Sequence, residues 1–199
     1  MTGRLILASA SPRRLEILSQ GGIVPDKVVP AAINEACCKG ESLSKLAIRL
    51  ARQKAIKIGN SHHGDYILGA DTIVACGRRE LGKTENELEA KENLGLLSGK
   101  RHKVFGGIGL VLPNGRVVSR LVTTVVQFKR LSQNEIFNYI RSGEWRGRAG
   151  AYSIQGRAQV FIKRINGSFS NVVGLDLYET VSLLDGNGYG KGKLLNGNG

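Results

Sequence analysis

At 199 residues, with 41% hydrophobic and 23% charged residues, the chain is long enough to bury a full core as one large domain or two smaller lobes. No apolar run is long enough to span a bilayer, and no signal-peptide core precedes a cleavage site, so the expected compartment is the cytoplasm and no membrane partner is expected. The 29 Lys and Arg outweigh 16 Asp and Glu for a net charge of +13, which points to anionic partners. The basic residues are scattered, so a phosphate-bearing small molecule accounts for them as well as a nucleic acid does. Cys37, Cys38 and Cys76 are odd in number and lack paired spacing. They do not read as a zinc site or a disulfide framework.

Leu5, Ile6 and Leu7 form a short apolar run that leads through Ser9 and Ser11 to Pro12, Arg13 and Arg14. Ser11 is a good N-cap, Pro12 suits the first helical position, and Gly21-Gly22 supplies a stop. The expectation is strand, tight loop, helix. Such a helix start gathers free amides, hydroxyls and two guanidiniums, which suits phosphate. A capped helix with two solvated arginines is the alternative, although arginine has the wrong sign for that end of the helix dipole.

Lys27 to Val29 reads as a second strand, followed by a loop carrying Glu35. Ser42 or Ser44 starts a helix to about Ile58, whose apolar arc is Leu43, Leu46, Ala47, Leu50, Ala51 and Ile58. Lys54 falls in the middle of that arc while Arg49 and Arg52 point away; Lys54 either snorkels or reaches inward to an anion. His62-His63 lies in a solvated turn. Tyr66 to Cys76 is a strongly apolar strand interrupted at Gly69-Ala70-Asp71-Thr72, which makes Asp71 the most suspicious carboxylate of the chain. Lys83 follows a glycine, and Thr84 with Glu87 reads as a capping box for a helix to about Leu97.

Lys103 to Leu112 and Val117 to Phe128 are β-rich runs around Pro113-Asn114-Gly115, a hairpin signal. A capped helix follows from Leu131 to Ser142, then the glycine-punctuated stretch RAGAYSIQG. Gln159 to Arg164 reads as a strand, Ile165 to Ser170 as a turn, and Asp176 caps a last helix to about Leu184. The glycine- and asparagine-rich stretch 186–199 is expected to be a disordered tail. Alternating strands and helices followed by a hairpin predict a mixed α/β sheet, elongated, with two lobes.

Ser9, Ser11, Arg13, Arg14, Glu35, Lys54, Asp71 and Lys83 are the odd residues of these elements. Brought together, they make a cationic phosphate cradle with two carboxylates, the combination that phosphate hydrolysis needs. Spacing alone does not bring them together. No GxGxxG opens the first helix, whereas residues 77–84, GRRELGKT, match GxxxxGK[ST] as a string.

The segments LASASPRR, LARQKA, LGADTIV, GK before a helix, LSGKRHKV, AGAYSIQG and NVVGLDLYET resemble, in order, the Maf family of nucleoside triphosphate pyrophosphatases from about Arg4 to Leu184. The resemblance implies the fold of the inosine triphosphate pyrophosphatases, an elongated mixed sheet with flanking helices and a cleft between two lobes, here in residues 1–185. It implies hydrolysis between the α and β phosphates to monophosphate and pyrophosphate, a divalent cation (Mg²⁺ or Mn²⁺), a nucleotide-pool housecleaning role and a homodimer. Its phosphate-binding residues fall on Ser9, Ser11, Arg13, Arg14, Lys54 and Lys83, and its metal-holding acids on Glu35 and Asp71, with Asp71 also the proton acceptor. In the subgroup acting on dTTP and UTP, base specificity falls on Arg14, Thr72 and Gln155. The alternative readings are a pyrophosphatase for 7-methylguanosine triphosphate or another modified nucleotide, and a non-catalytic nucleotide- or nucleic-acid-binding regulator of cell division. Three positions depart from the family pattern: Thr84 and Asp176 replace prolines, and Arg148 replaces a lysine.

Overall fold

The computed structural model describes residues 3–190. In chain order the elements are β1 (Leu5–Ala8), α1 (Pro12–Gln20), β2 (Lys27–Val28), α2 (Leu43–Gly59), β3 (Tyr66–Cys76), β4 (Arg79–Glu80), α3 (Glu87–Leu97), β5 (Arg101–Val111) and β6 (Val117–Phe128). Then come α4 (Gln133–Ser142), a 3-10 turn (Arg157–Phe161), β7 (Ile162–Asn166), α5 (Phe169–Val173) and α6 (Leu177–Gly186). The strand order is β2-β1-β3-β5-β6-β7, with β4 paired to β3. β1 runs parallel to both β2 and β3, whereas the β3–β4 and β6–β7 pairs are antiparallel, so the sheet is mixed as expected. No helix among the described residues is long and apolar enough to cross a membrane.

The chain divides into two compact units. The first takes the chain up to Asp71, Gly106–Val122 and the chain from Gly174; the second takes Thr72–Phe105 and Thr123–Val173. In the first, Ile6, Ala8, Ala55, Ile58, Ile67 and Val111 pack into a core between α2 and the strands. The seating of α2 is set by small residues. A Cβ on Gly69 would lie 2.4 Å from the Ala51 carbonyl oxygen, one on Gly107 2.1 Å from that of Ala47, and one on Gly109 2.9 Å from that of Ala51. Ala47, Ala51 and Ala55 recur every four residues, so one face of α2 is a smooth stripe lying against bare strand backbone.

The second unit is built around aromatic rings. Phe128 meets His102 and Tyr152 edge-on at centroid distances of 5.1 and 5.0 Å, and the buried Trp145 donates its Nε1–H to the Ile140 carbonyl at 2.8 Å. His102 Nε2 and the Tyr152 hydroxyl are hydrogen-bonded at 2.8 Å. Burial pushes the His102 imidazole down from 6.5 to about 4.

Most elements match the sequence expectation, with local corrections. β3 runs without a break through Gly69–Thr72. Thr84 does not cap α3: Asn86 does, accepting the Leu88 and Glu89 amides, while the Thr84 hydroxyl donates to Glu89 at 2.6 Å. Asn86 sits two residues closer to the first free amides, and it wins. On α1, Ser11 makes no side-chain cap. The Ser132–Glu135 capping box on α4 is complete, and Gly143 closes that helix in the left-handed region. Residues 157–161 coil into the 3-10 turn before β7 begins, and the expected turn 165–170 is shortened by β7, which runs to Asn166, and by α5, which starts at Phe169. α6 continues to Gly186, and Tyr189 is buried edge-on against Tyr66 at 5.3 Å. Residues 191–199 of the expected tail lie outside the described residues.

Two outcomes are expected. Gly107→Ala forces α2 off the sheet, with a loss of about 1–3 kcal/mol by urea unfolding. His102 binds a proton in the unfolded chain below pH 6.5 but in the folded chain only near 4. Stability from this group is therefore complete above pH 6.5 and falls as pH drops towards 4. His102→Gln flattens that slope in urea titrations run at pH 7.5 and pH 5.

Candidate active site

The site grows from the start of α1. β1 ends at Ala8, and the buried Ser9 follows it. Its Oγ accepts the Ser11 amide and Arg14 Nη1, each at 3.1 Å. Ser11 thus contributes its backbone rather than a capping hydroxyl. Arg14 Nε donates to the Gly174 carbonyl at 2.9 Å. Two arginines in a first turn with no acidic residue oppose the helix dipole. Arg14 is held there by Ser9, by Gly174 and by negative charge nearby. Burial pushes its guanidinium down from the usual value, and the fields of Asp71 and Glu35 work against that shift. Arg13, beside it, is half-buried.

Across the seam of small residues, α2 delivers Lys54. The side chain does not snorkel. Its Nζ lies 2.6 Å from Asp71 Oδ1 and 2.6 Å from Glu35 Oε1, and both Lys54 and Asp71 are only 7% exposed. Gly69 and Asp71 share one parity on β3, so the face that admits α2 at Gly69 presents the Asp71 carboxylate two residues on. Glu35 comes from an irregular stretch and is half exposed on its side chain. Ser9, Arg14, Glu35, Lys54 and Asp71 are therefore brought together in one unit, with Arg13 on the same helix turn.

Lys83, Thr72 and Gln155 belong to the second unit. Lys83 is exposed and its backbone bridges to Ala149, Thr72 follows Asp71 on the opposite face of β3, and Gln155 is exposed.

Sequence reading missed the anchors of the Glu35 stretch. Arg49, assigned to the outer side of α2, and Lys57 both donate to backbone carbonyls of that stretch, at Ala36 and Ala32. Their four- and eight-residue spacing on α2 from Gln53 and Arg49 marks a shared face, but nothing local shows that a loop lies over it.

Two carboxylates converging on one ammonium form a place that favours a cation. Among the described residues no group of three or more His, Cys, Asp or Glu could hold a metal ion alone. Mg²⁺ commonly takes one or two carboxylates together with substrate phosphates and water. The pair Glu35 and Asp71 fits an ion shared with a phosphate substrate, and does not fit a closed structural site.

A family model described as Maf-like protein matches residues 4–187. A dTTP/UTP pyrophosphatase of Paramagnetospirillum magneticum is 54% identical over 185 residues, covering 93% of this chain and 97% of that protein. One of Maricaulis maris is 55% identical over 186 residues, covering 94% and 89%. A solved HAM1 protein from Coxiella burnetii shares the fold at a TM-score of 0.51 and 17% identity, covering 92% of this chain and 99% of that one.

Removing the ammonium alone strands Asp71 in a dry position. Lys54→Met is expected to cost about 3–5 kcal/mol in chemical unfolding, and Lys54→Met combined with Asp71→Asn to recover part of that loss.

Proposed function

The chain belongs to the Maf family, and from that premise we propose that it hydrolyses the pyrimidine nucleoside triphosphates dTTP and UTP to the monophosphate and pyrophosphate. The observation that carries this reading is the Lys54 ammonium bound by Asp71 and Glu35 beside the half-buried Arg14. Relatives more than half identical over nearly the whole chain carry the name dTTP/UTP pyrophosphatase, which supports the choice of substrate.

Phosphoryl and nucleotidyl transfer depend mainly on positioning and on neutralising charge on the phosphate oxygens. Arg13, Arg14, Lys54 and Lys83 are the cations we assign to those oxygens, and the amides after Ser9 bind alongside them. Asp71 is the general base: it orients the attacking water and receives its proton. Its carboxylate is already fixed by the contact to Lys54, so it loses no rotational freedom when substrate arrives. A divalent cation, Mg²⁺ or Mn²⁺, held by Glu35 and Asp71 with the substrate, supplies further neutralisation and lowers the pKa of water. For the base, Gln155 offers both a donor and an acceptor to the uracil or thymine edge, with Thr72 and Arg14 completing recognition. We place the reaction in the cytoplasm, in a homodimer, as removal of nucleotides from the pool.

The test is pyrophosphate release from a panel of nucleotides. Turnover of dTTP and UTP is expected, stopped by EDTA and restored by Mg²⁺ or Mn²⁺. Asp71→Asn should lower kcat by about 10²–10⁴. Full activity in that variant removes the assigned base, and a preference for 7-methylguanosine triphosphate reassigns the base pocket.

A further inference from the structure

Glu35 stands in a stretch without regular structure between β2 and α2, and most of its neighbours are exposed. Such a segment does not hold a carboxylate in one place by itself. Here it is tied down by a face of α2. Arg49 Nε and Nη2 grip Glu41 Oε1 and Oε2 at 2.8 Å each, a bidentate pair, and Nη2 also donates to the Ala36 carbonyl at 2.8 Å. The same Glu41 Oε2 accepts the Cys38 amide at 3.0 Å. Gln53, one turn along α2, accepts from Arg49 Nη1 at 3.1 Å, which fixes the guanidinium plane. Lys57, a further turn on, donates to the Ala32 carbonyl. The stretch is therefore pinned on both sides of Glu35, at Ala32 and at Ala36–Cys38.

We propose that Arg49, through its pair with Glu41, is a positioning residue that sets Glu35 against Lys54 and so fixes the acidic pair for catalysis. The proposal rests on the function given above and adds to it a residue outside the charged site. Arg49 and Lys54 sit five residues apart on one rigid helix, so the clamp and the group it serves share one frame. The energetics suit the role. A bidentate Arg–carboxylate pair is among the stronger side-chain contacts, and only a quarter of Arg49 and about a tenth of Glu41 is exposed. Arg49 and the Cys38 amide hold the Glu41 carboxyl down at about 2, so the pair persists across the working pH range. Lysine at 49 could meet Glu41 at one point but could not reach both Glu41 oxygens and Ala36 together.

The experiment compares the full-length wild type with Arg49→Met, Glu35→Gln and the double variant. Hydrogen exchange of amides 31–41 reads the clamp directly: Arg49→Met should speed exchange there and leave β3 unchanged. Pyrophosphate release against Mg²⁺ concentration reads the consequence. Arg49→Met should raise the Mg²⁺ needed for half-maximal rate by about 10–100-fold, as loss of an outer partner of a metal ligand does. In the Glu35→Gln background the same change should have little further effect. Unchanged exchange over 31–41, or losses that simply multiply in the double variant, overturns the proposal. Where Arg49→Met does not fold, Arg49→Lys carries the same comparison with a smaller expected loss. A wild type that releases no pyrophosphate from any nucleotide defeats the function instead, and the exchange result still decides on the clamp.

Discussion

Lys54 and Asp71 meet because α2 lies against bare strand backbone. A lysine in the middle of an apolar helix face can reach a carboxylate on the underlying strand only if the two backbones come closer than ordinary side chains allow. Gly69, Gly107 and Gly109, facing Ala47, Ala51 and Ala55, remove the bulk that would hold them apart. The ammonium then bridges Asp71 and Glu35 in a nearly dry position. A single charge buried there would be costly; Lys54 and Asp71 compensate one another, with the half-exposed Glu35 at the edge. The same dryness strengthens whatever field the cluster presents to a phosphate.

Three different physical devices deliver side chains to this point. α2 contributes Lys54 by rigid packing. The start of α1 contributes Arg14 by a local network in which one serine hydroxyl serves both the chain turn and the guanidinium. An irregular stretch contributes Glu35 and borrows its order from cations of α2. Asp71 and Lys54 thus stand on regular elements, and the half-exposed Glu35 stands where exchange with solvent is easiest.

Much of the fold was readable from periodicity and caps. α2, α4 and α6 follow their apolar arcs and their Ser42, Ser132 and Asp176 caps, and the β5–β6 turn follows Asn114-Gly115. What failed were choices between neighbours of similar local chemistry, such as Thr84 against Asn86, or residues 159–161 as strand against 3-10 turn. Those are decided by tertiary contacts. The glycine at 69 suggested an interruption of β3, whereas its cause is the helix lying over it. At the site, Asp71 and Lys54 stood out because a charge within an apolar pattern needs a partner. Arg49 and Glu41 did not, because a charge on an outer helix face looks the same whether water or a folded-back chain covers it.

The first unit is assembled from three separated stretches, and the last of them starts at Gly174. A ribosome adding ~5–20 residues per second needs roughly 5–20 s to travel from Asp71 to that glycine. Until then Arg14 lacks the carbonyl that receives its Nε–H, and Asn187 and Tyr189 do not yet exist to meet Tyr66. The stretch 72–173 contains the whole second unit, so it can collapse while the first waits. Vectorial synthesis therefore finishes the Arg14 network last, and a nascent chain that stalls before Gly174 emerges without it.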